Sequence, residues 1–241
     1  MERESIEYDV VIVGGGPSGL ASACKLKQLN SNLSVCLLEK GSEIGSHILS
    51  GAVFEPKTLF DLFPDDAKDC PTLKTPVAKD DLFWLTGENK SIKVPSWLMP
   101  KSLHNKGNYI ISLGELCQWI SEKAMELGVD IFPGFPAQSY LKDESGRVIG
   151  ISTGDMGIDK EGNQKGTYTP GMDILAKQTI FAEGARGHLG KQLIREFNLD
   201  EGETPQHFAI GFKEVWEVDN DNHSPGDVVH TMGWPLNEGT T

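Results

Sequence analysis

The chain has no apolar run near the ~18 residues that a bilayer-spanning helix needs, so no such helix is expected within it. Basic residues are outnumbered: 22 Lys and Arg against 35 Asp and Glu leave a formal charge of −13. A balance so acidic offers no general basic face to a phosphate backbone, and no nucleic-acid partner is expected, although a local basic patch stays open. Cysteine is scarce. Cys24, Cys36, Cys70 and Cys117 are each at least a dozen residues apart, so no C-x-x-C spacing exists from which a zinc site or an iron–sulfur cluster is assembled. The six histidines are scattered with none at i, i+4 from another, and no metal ligands are expected. No Ser/His/Asp or Cys/His arrangement stands out for nucleophilic catalysis. Met1 precedes the first apolar run so closely that no signal or transit peptide is expected. At 241 residues, the chain is sized for one large domain or two packed ones.

What is present is concentrated near the start. In YDVVIVGGGPSGLASACKLKQL, the β-branched run Val10–Val13 passes directly into Gly14, Gly15 and Gly16, then Pro17, Ser18 and Gly19. An unbroken apolar run suits a strand buried on both faces of a parallel sheet. A helical pattern follows, with Leu20, Ala21, Cys24, Leu26 and Leu29 as its apolar positions. Gly14, Gly16 and Gly19 thus form G-x-G-x-x-G between a strand and a helix, where tight backbone turns bring N–H groups and the helix N-terminus to a pyrophosphate. A second apolar run, Val35–Leu38, ends in Glu39, twenty residues after Gly19, followed by Lys40. A carboxylate there accepts hydrogen bonds from adenosine ribose hydroxyls. These residues predict a dinucleotide carrying ADP, with NAD and FAD both open at this point.

The rest reads as a β-rich elaboration. KGSEIGSHILSGAVFEP is an ordered loop, Leu59–Phe63 a short helix, and 64–81 a surface excursion. LFWL and SIKV bracket a turn at 86–89 and predict a hairpin. Trp97, Leu98 and Met99 lie in a loop with two prolines and read as exposed. Ser112 and Glu115 predict a capping box for a helix that Gly128 ends, with VDIF as the next strand. AQSYL and RVIGIST predict a second hairpin, residues 154–171 a polar glycine-rich stretch, and AKQTIF a strand running into the turn Glu183-Gly184-Ala185-Arg186-Gly187. HFAIGFKEVWEV alternates and predicts a long antiparallel strand, and 228–234 a further strand. The class is α/β: a Rossmann-like dinucleotide-binding domain with a parallel sheet, interrupted by an antiparallel β-rich domain. The predicted division is 1–80 for the βαβ unit and the loop after it and 81–111 for a hairpin and loop. Residues 112–195 follow as helix, hairpin and second glycine turn, and 196–241 as antiparallel strands of an incomplete second domain.

The late strand-to-glycine turn and the long insertions favour FAD over NAD. The motifs GGGPSGL, GSHILSGAVFEP, NYIISLGELCQW, GDMGIDKEG, IFAEGARGHLGKQL and GWPL together resemble the electron-transfer flavoprotein–ubiquinone oxidoreductase family, over Tyr8 to Leu236. The resemblance implies FAD held at Gly14, Gly16, Pro17, Ser18 and Gly19, with Glu39 and Lys40 at the ribose. It also implies Ser50, Gly51 and Ala52 along the isoalloxazine, and Glu183 and Gly184 in a backbone turn closing on the cofactor. The implied chemistry is flavin-centred, with no catalytic side chain. Electron-transfer flavoprotein and ubiquinone are the implied partners. The implied location is peripheral and monotopic, on the cytoplasmic face of a bacterial inner membrane, equivalent to the mitochondrial matrix face. Phe83, Trp84, Leu85, Trp97, Leu98 and Met99, with Lys93, Lys101 and Lys106, are the implied membrane contacts; the alternative is packing beneath the loop. His47 reads either as a flavin-loop residue or as a structural histidine, and Arg186 as a phosphate contact or a solvated turn residue. The family carries about as many residues again, together with a [4Fe–4S] cluster expected only in that further half, so the chain reads as a fragment. The competing readings are an NAD(P)H-dependent reductase or hydroxylase of prenyl-reductase type and a non-catalytic FAD-binding fragment.

Overall fold

A computed structural model describes residues 3–48, 51–208, 211–219 and 223–235. In chain order its elements begin with β1 (Ser5–Val13), α1 (Pro17–Leu29), β2 (Val35–Glu39), β3 (Ala52–Phe54) and α2 (Lys57–Leu62). Next come β4 (Thr75–Pro76), β5 (Lys79–Gly87), β6 (Lys90–Val94), β7 (Tyr109–Ile111) and α3 (Leu113–Glu126). There follow β8 (Val129–Pro133), β9 (Ala137–Lys142), β10 (Val148–Thr153), β11 (Met156–Ile158) and β12 (Gln164–Thr169). The last are β13 (Asp173–Phe181), α4 (His188–Glu196) and β14 (Asp227–Gly233). The chain divides into two units, Met1–Leu49 with Gly114–Phe212, and Ser50–Leu113 with Lys213–Thr241.

The first unit is built on a six-stranded sheet in the order β8-β2-β1-β13-β10-β9. β8, β2, β1 and β13 run parallel, and β10 then joins β13 antiparallel over Asp173–Leu175. Parallel strands bury both faces, which is why β1 and β2 read as continuous apolar runs rather than alternating ones. Val11, Val13, Cys36 and Leu38 pack on one face with Ile151 and Ile174. Val10, Ile12, Val35 and Leu37, at the intervening positions, are buried as well. After β1 the chain turns to one side of it, and β13 arrives on the other. The crevice beyond the carboxyl ends of β1 and β13 is therefore the topological switch point, the place where open α/β sheets bind ligands. This is the Rossmann-like α/β architecture predicted above.

The second unit holds two three-stranded sheets, β3-β7-β4, antiparallel throughout, and β14-β5-β6. β5 and β6 form the expected hairpin, with Trp84 opposite Ile92. β14 lies on the other edge of β5 and runs parallel to it, with Met232 opposite Trp84. A parallel partner here corrects the expectation of antiparallel strands for the chain's last segment. Loop 95–108 is tied to this sheet: the Asp80 carboxylate accepts the Asn105 backbone N–H at 2.7 Å and its amide at 3.1 Å. The Asn105 amide also lies 3.2 Å from His230 Nε2, on β14.

Two further readings change. The alternating stretch around Phe208–Val218 forms no strand among its described residues, and Phe212 and Trp216 are 93% and 75% exposed; Ile210 falls outside the described residues. Alternation creates a strand only where a neighbouring strand pairs with it, and none of the described strands does. Across the polar glycine-rich stretch 154–171, β11 and β12 pair antiparallel. Met99 is buried at 6% exposure, whereas Trp97 and Leu98 are exposed at 79% and 56%. Phe83 and Leu85 are half-buried on the opposite side of β5 from the exposed Trp84, as strand alternation requires.

Candidate functional site

The glycine loop leaves β1 at the switch point. Gly14 N–H donates to the Leu38 carbonyl of β2 at 2.8 Å, and Ala182 N–H, just beyond β13, donates to the Val13 carbonyl at 2.8 Å. The two strand-to-glycine turns therefore lie side by side. Gly14 has φ +112°, and a Cβ there would collide with the Ala182 carbonyl. A Cβ on Gly19 would collide with the Gly14 carbonyl, so this position must be glycine for helix α1 to pack against the loop. Gly16 is the N-cap of α1 and Pro17 its first residue, where proline's missing N–H costs nothing. No side chain caps α1 and no acidic residue lies in its first turn. The unpaired N–H groups and the positive end of the helix dipole are thus left for an anion.

Glu39, at the end of β2, turns its carboxylate back onto this loop. Oε2 accepts Gly15 N–H at 2.9 Å and Oε1 accepts Gly41 N–H at 2.7 Å. Two amides fix the carboxylate from either side, and its remaining lone pairs stay available to hydroxyl donors. His47 Nδ1 lies 3.8 Å from Oε1. Lys40, the next residue, is exposed.

The predicted site residues divide accordingly. Gly14, Gly16, Pro17, Ser18, Gly19 and Glu39 are gathered at the switch point, with Gly184 in the adjacent turn at φ +82°. Glu183 has a structural duty: its carboxylate accepts Leu189 N–H at 3.2 Å and Gly190 N–H at 2.8 Å, capping α4. Arg186 stacks over the Phe208 ring at 4.8 Å. Gly51 and Ala52 belong to the other unit, where Gly51 has φ +95° and its carbonyl accepts the Lys213 ammonium at 3.0 Å, and Ala52 opens β3. Ser50 lies outside the described residues. Sequence reasoning missed Gly41, which pins Glu39, and Ala182, which sets the spacing between the two turns; a glycine two residues past the acidic strand end was the available signal.

The thiols are poor candidates for chemistry. Burial pushes the Cys24 and Cys36 thiols up to about 12, and burial together with the Glu39 charge pushes Cys117 up to about 11. Among the described residues no group of His, Cys, Asp and Glu is arranged to hold a metal ion, and the four buried cysteines are all unpaired. They do not fit an iron–sulfur cluster. No helix among the described residues is long and apolar enough to cross a membrane. A pyrophosphate-linked dinucleotide, by contrast, fits the donor set: an uncapped helix N-terminus, two close-packed glycines and a fixed carboxylate at the end of the neighbouring strand.

Comparison with known proteins agrees with this geometry. Residues 12–65 match the NAD(P)-binding Rossmann-like domain model, and residues 208–241 match the model described as ETF-QO, ubiquinone-binding. The chain is 57% identical over its whole length to the electron transfer flavoprotein-ubiquinone oxidoreductase of Pseudomonas aeruginosa, of which it covers 45%. It is 46% identical to the mitochondrial protein of that name from Homo sapiens, of which it covers 39%. The chain therefore spans less than half the length of the curated relatives it matches. Among solved structures, a geranylgeranyl bacteriochlorophyll reductase-like protein from Thermoplasma acidophilum superimposes with a TM-score of 0.55 at 23% identity, over 78% of this chain and 42% of that one. The flavin-dependent brominase Bmp2 does so with 0.51 at 18% identity, over 80% of this chain and 41% of that one. At such identities these two speak for the fold.

Proposed function

Because the chain belongs to the electron transfer flavoprotein–ubiquinone oxidoreductase family over the stretch it shares with its relatives, we propose that it supplies the FAD-holding part of an enzyme that takes electrons from reduced electron-transfer flavoprotein and delivers them to ubiquinone. The observation that carries this reading is the junction of the β1–α1 glycine loop, the Glu39 carboxylate and the β13 turn at one switch point. Bound FAD supplies the redox chemistry that protein side chains lack. The chain's own residues bind and orient it. The N-terminus of α1, around Gly16, Ser18 and Gly19, holds the pyrophosphate, and Glu39 accepts the ribose hydroxyls. Gly184 is proposed to line the flavin with backbone. Glu183 fixes α4 beside that turn through its carboxylate, which accepts two N–H groups of the helix.

The quinone-side and membrane readings rest on the second unit. Trp84, Ile92 and Met232 form a lateral row on one face of the β14-β5-β6 sheet, 50%, 62% and 46% exposed. With Trp97 and Leu98 they supply a monotopic apolar surface, with Lys101 beside it for anionic headgroups. An iron–sulfur cluster in the complete enzyme would draw its ligands from residues outside this chain. The proposed location is the cytoplasmic face of a bacterial inner membrane.

A chimera tests the function. Residues 1–241 would replace the matching stretch of the Pseudomonas aeruginosa relative, and the purified product would be assayed with reduced electron-transfer flavoprotein and ubiquinone. Quinone reduction at a rate comparable to the relative's is expected. A FAD-loaded chimera that ignores electron-transfer flavoprotein but consumes NADPH would overturn the assignment in favour of a reductase or hydroxylase.

A further inference from the structure

His47 stands on a loop that the fold holds firmly over the Glu39 carboxylate. At one end, Gly134 N–H donates to the Gly41 carbonyl at 2.7 Å and Phe135 N–H to the Glu39 carbonyl at 3.0 Å. In the middle, Gly45 lies against the backbone of Gly114 at the start of α3, so closely that a side chain on Gly45 would collide with the Gly114 carbonyl. Ser46 folds back on the Glu43 carbonyl through both its N–H, at 3.3 Å, and its hydroxyl, at 2.9 Å. Ile48 N–H closes a turn on the Gly45 carbonyl at 3.0 Å. These contacts leave His47 half-exposed, with 59% of its side chain accessible, and its Nδ1 3.8 Å from Glu39 Oε1. Glu39 itself cannot swing away to follow the imidazole, because Gly15 and Gly41 grip its two oxygens.

We propose that His47 competes with the cofactor's ribose for the Glu39 carboxylate, so that a protonated His47 weakens dinucleotide binding and a neutral one permits it. The inference rests on the FAD reading above and deepens it. A carboxylate offers about four lone-pair directions, and the two amides take two of them. An imidazolium at this range needs only a small rotation to occupy a third, leaving fewer for a ribose hydroxyl. Neutral imidazole has no charge to hold it there and gives way. Histidine is the side chain that changes charge between about pH 5 and 8. Cys117 on α3, beside Glu39, is held neutral in that interval, its thiol pushed up to about 11 by burial and the Glu39 charge. Lys40 and Glu43, on the loop itself, are exposed.

The test is FAD affinity, read from quenching of flavin fluorescence, between pH 5.5 and 8.0, for the unaltered chain, His47→Gln and Glu39→Gln. Thermal unfolding of each variant at both pH values checks that the fold survives. In the unaltered chain, affinity is expected to fall on acidification by about two- to fivefold more than in His47→Gln, the range of a partly exposed ion pair. Glu39→Gln removes the charge for which the two compete and is expected to abolish the excess. Parallel pH profiles for the unaltered chain and His47→Gln would overturn the proposal while leaving FAD binding intact. No binding by the unaltered chain at pH 8.0 would instead overturn the FAD reading itself.

Discussion

The carboxylate of Glu39 accepts the backbone N–H of Gly15 at 2.9 Å, joining the end of one parallel strand to the glycine loop that follows its neighbour. The contact makes Glu39, the proposed ribose acceptor, and the glycine loop proposed to hold the phosphates a single rigid object. Glu39→Ala removes that link, strands the Gly15 and Gly41 amides, and deletes the ribose acceptor. Hydrogen bonds to a charged group are worth about 1.5–3 kcal/mol, so FAD affinity should fall by roughly 10- to 100-fold. Glu39→Gln, keeping one carbonyl oxygen, should lose less. Fluorescence titration at pH 8 checks both.

Gly19→Ala should be more damaging than its single methyl suggests. The added carbon would collide with the Gly14 carbonyl, and Gly14 is itself wedged against Ala182. Forcing the loop open is expected to cost about 1–3 kcal/mol of stability, as overpacking does elsewhere. It should also lower FAD affinity at least tenfold. Gly16→Ala meets open space and should keep its stability, which denaturant unfolding of the two variants side by side will show.

The second unit has a comparable pin. Asn105 is 8% exposed and bridges Asp80 and His230. Asn105→Ala deletes the amide's contacts to Asp80, the Leu103 carbonyl and His230 while keeping the backbone N–H to Asp80, at an expected cost of about 1 kcal/mol. The loss should appear as faster proteolysis within loop 95–108, with FAD affinity unchanged.

Membrane contact through the exposed row makes a distinct prediction. Vesicles of phosphatidylcholine with about one-fifth anionic lipid should carry the chain in a flotation assay. The double variant Trp84→Ser/Trp97→Ser should lose most of that binding, because partition of exposed apolar surface drives it. Raised salt should weaken the remainder by screening the lysines.

The buried thiols should be inert. With Cys24 and Cys36 pushed up to about 12, the thiolate fraction at pH 8 is on the order of one in ten thousand. Native protein should consume almost no Ellman's reagent within minutes, and denatured protein should release four equivalents, one for each unpaired cysteine.

The first βαβ unit was legible because its signals are local. The apolar run, the three spaced glycines and the acidic strand end all fall within 10–39, and each dictates its own backbone. The two hairpins were legible for the same reason, through turn residues between alternating segments. The pairing of β14 with β5 was not, since a parallel partner far away in sequence leaves no mark on either strand. Alternation misled at Phe208–Val218, where the side-chain period is right but no described strand offers a partner. The part Glu183 plays in α4 was not legible, because a carboxylate in a glycine turn looks the same whether it meets a ligand or caps the helix behind it. His47 was ambiguous because the turns through Ser46, Ile48 and Gly114 that hold it over Glu39 connect loop backbone with no periodic signal.

The central claim is that this chain, through the β1–α1 loop, Glu39 and the β13 turn, holds FAD. The direct measurement is the visible absorption spectrum of the purified chain after incubation with FAD and gel filtration. Retained flavin bands at near one equivalent, lost in Glu39→Ala, are the predicted result. Folded protein that emerges colourless, with the helix and sheet content of the native chain intact, would contradict it.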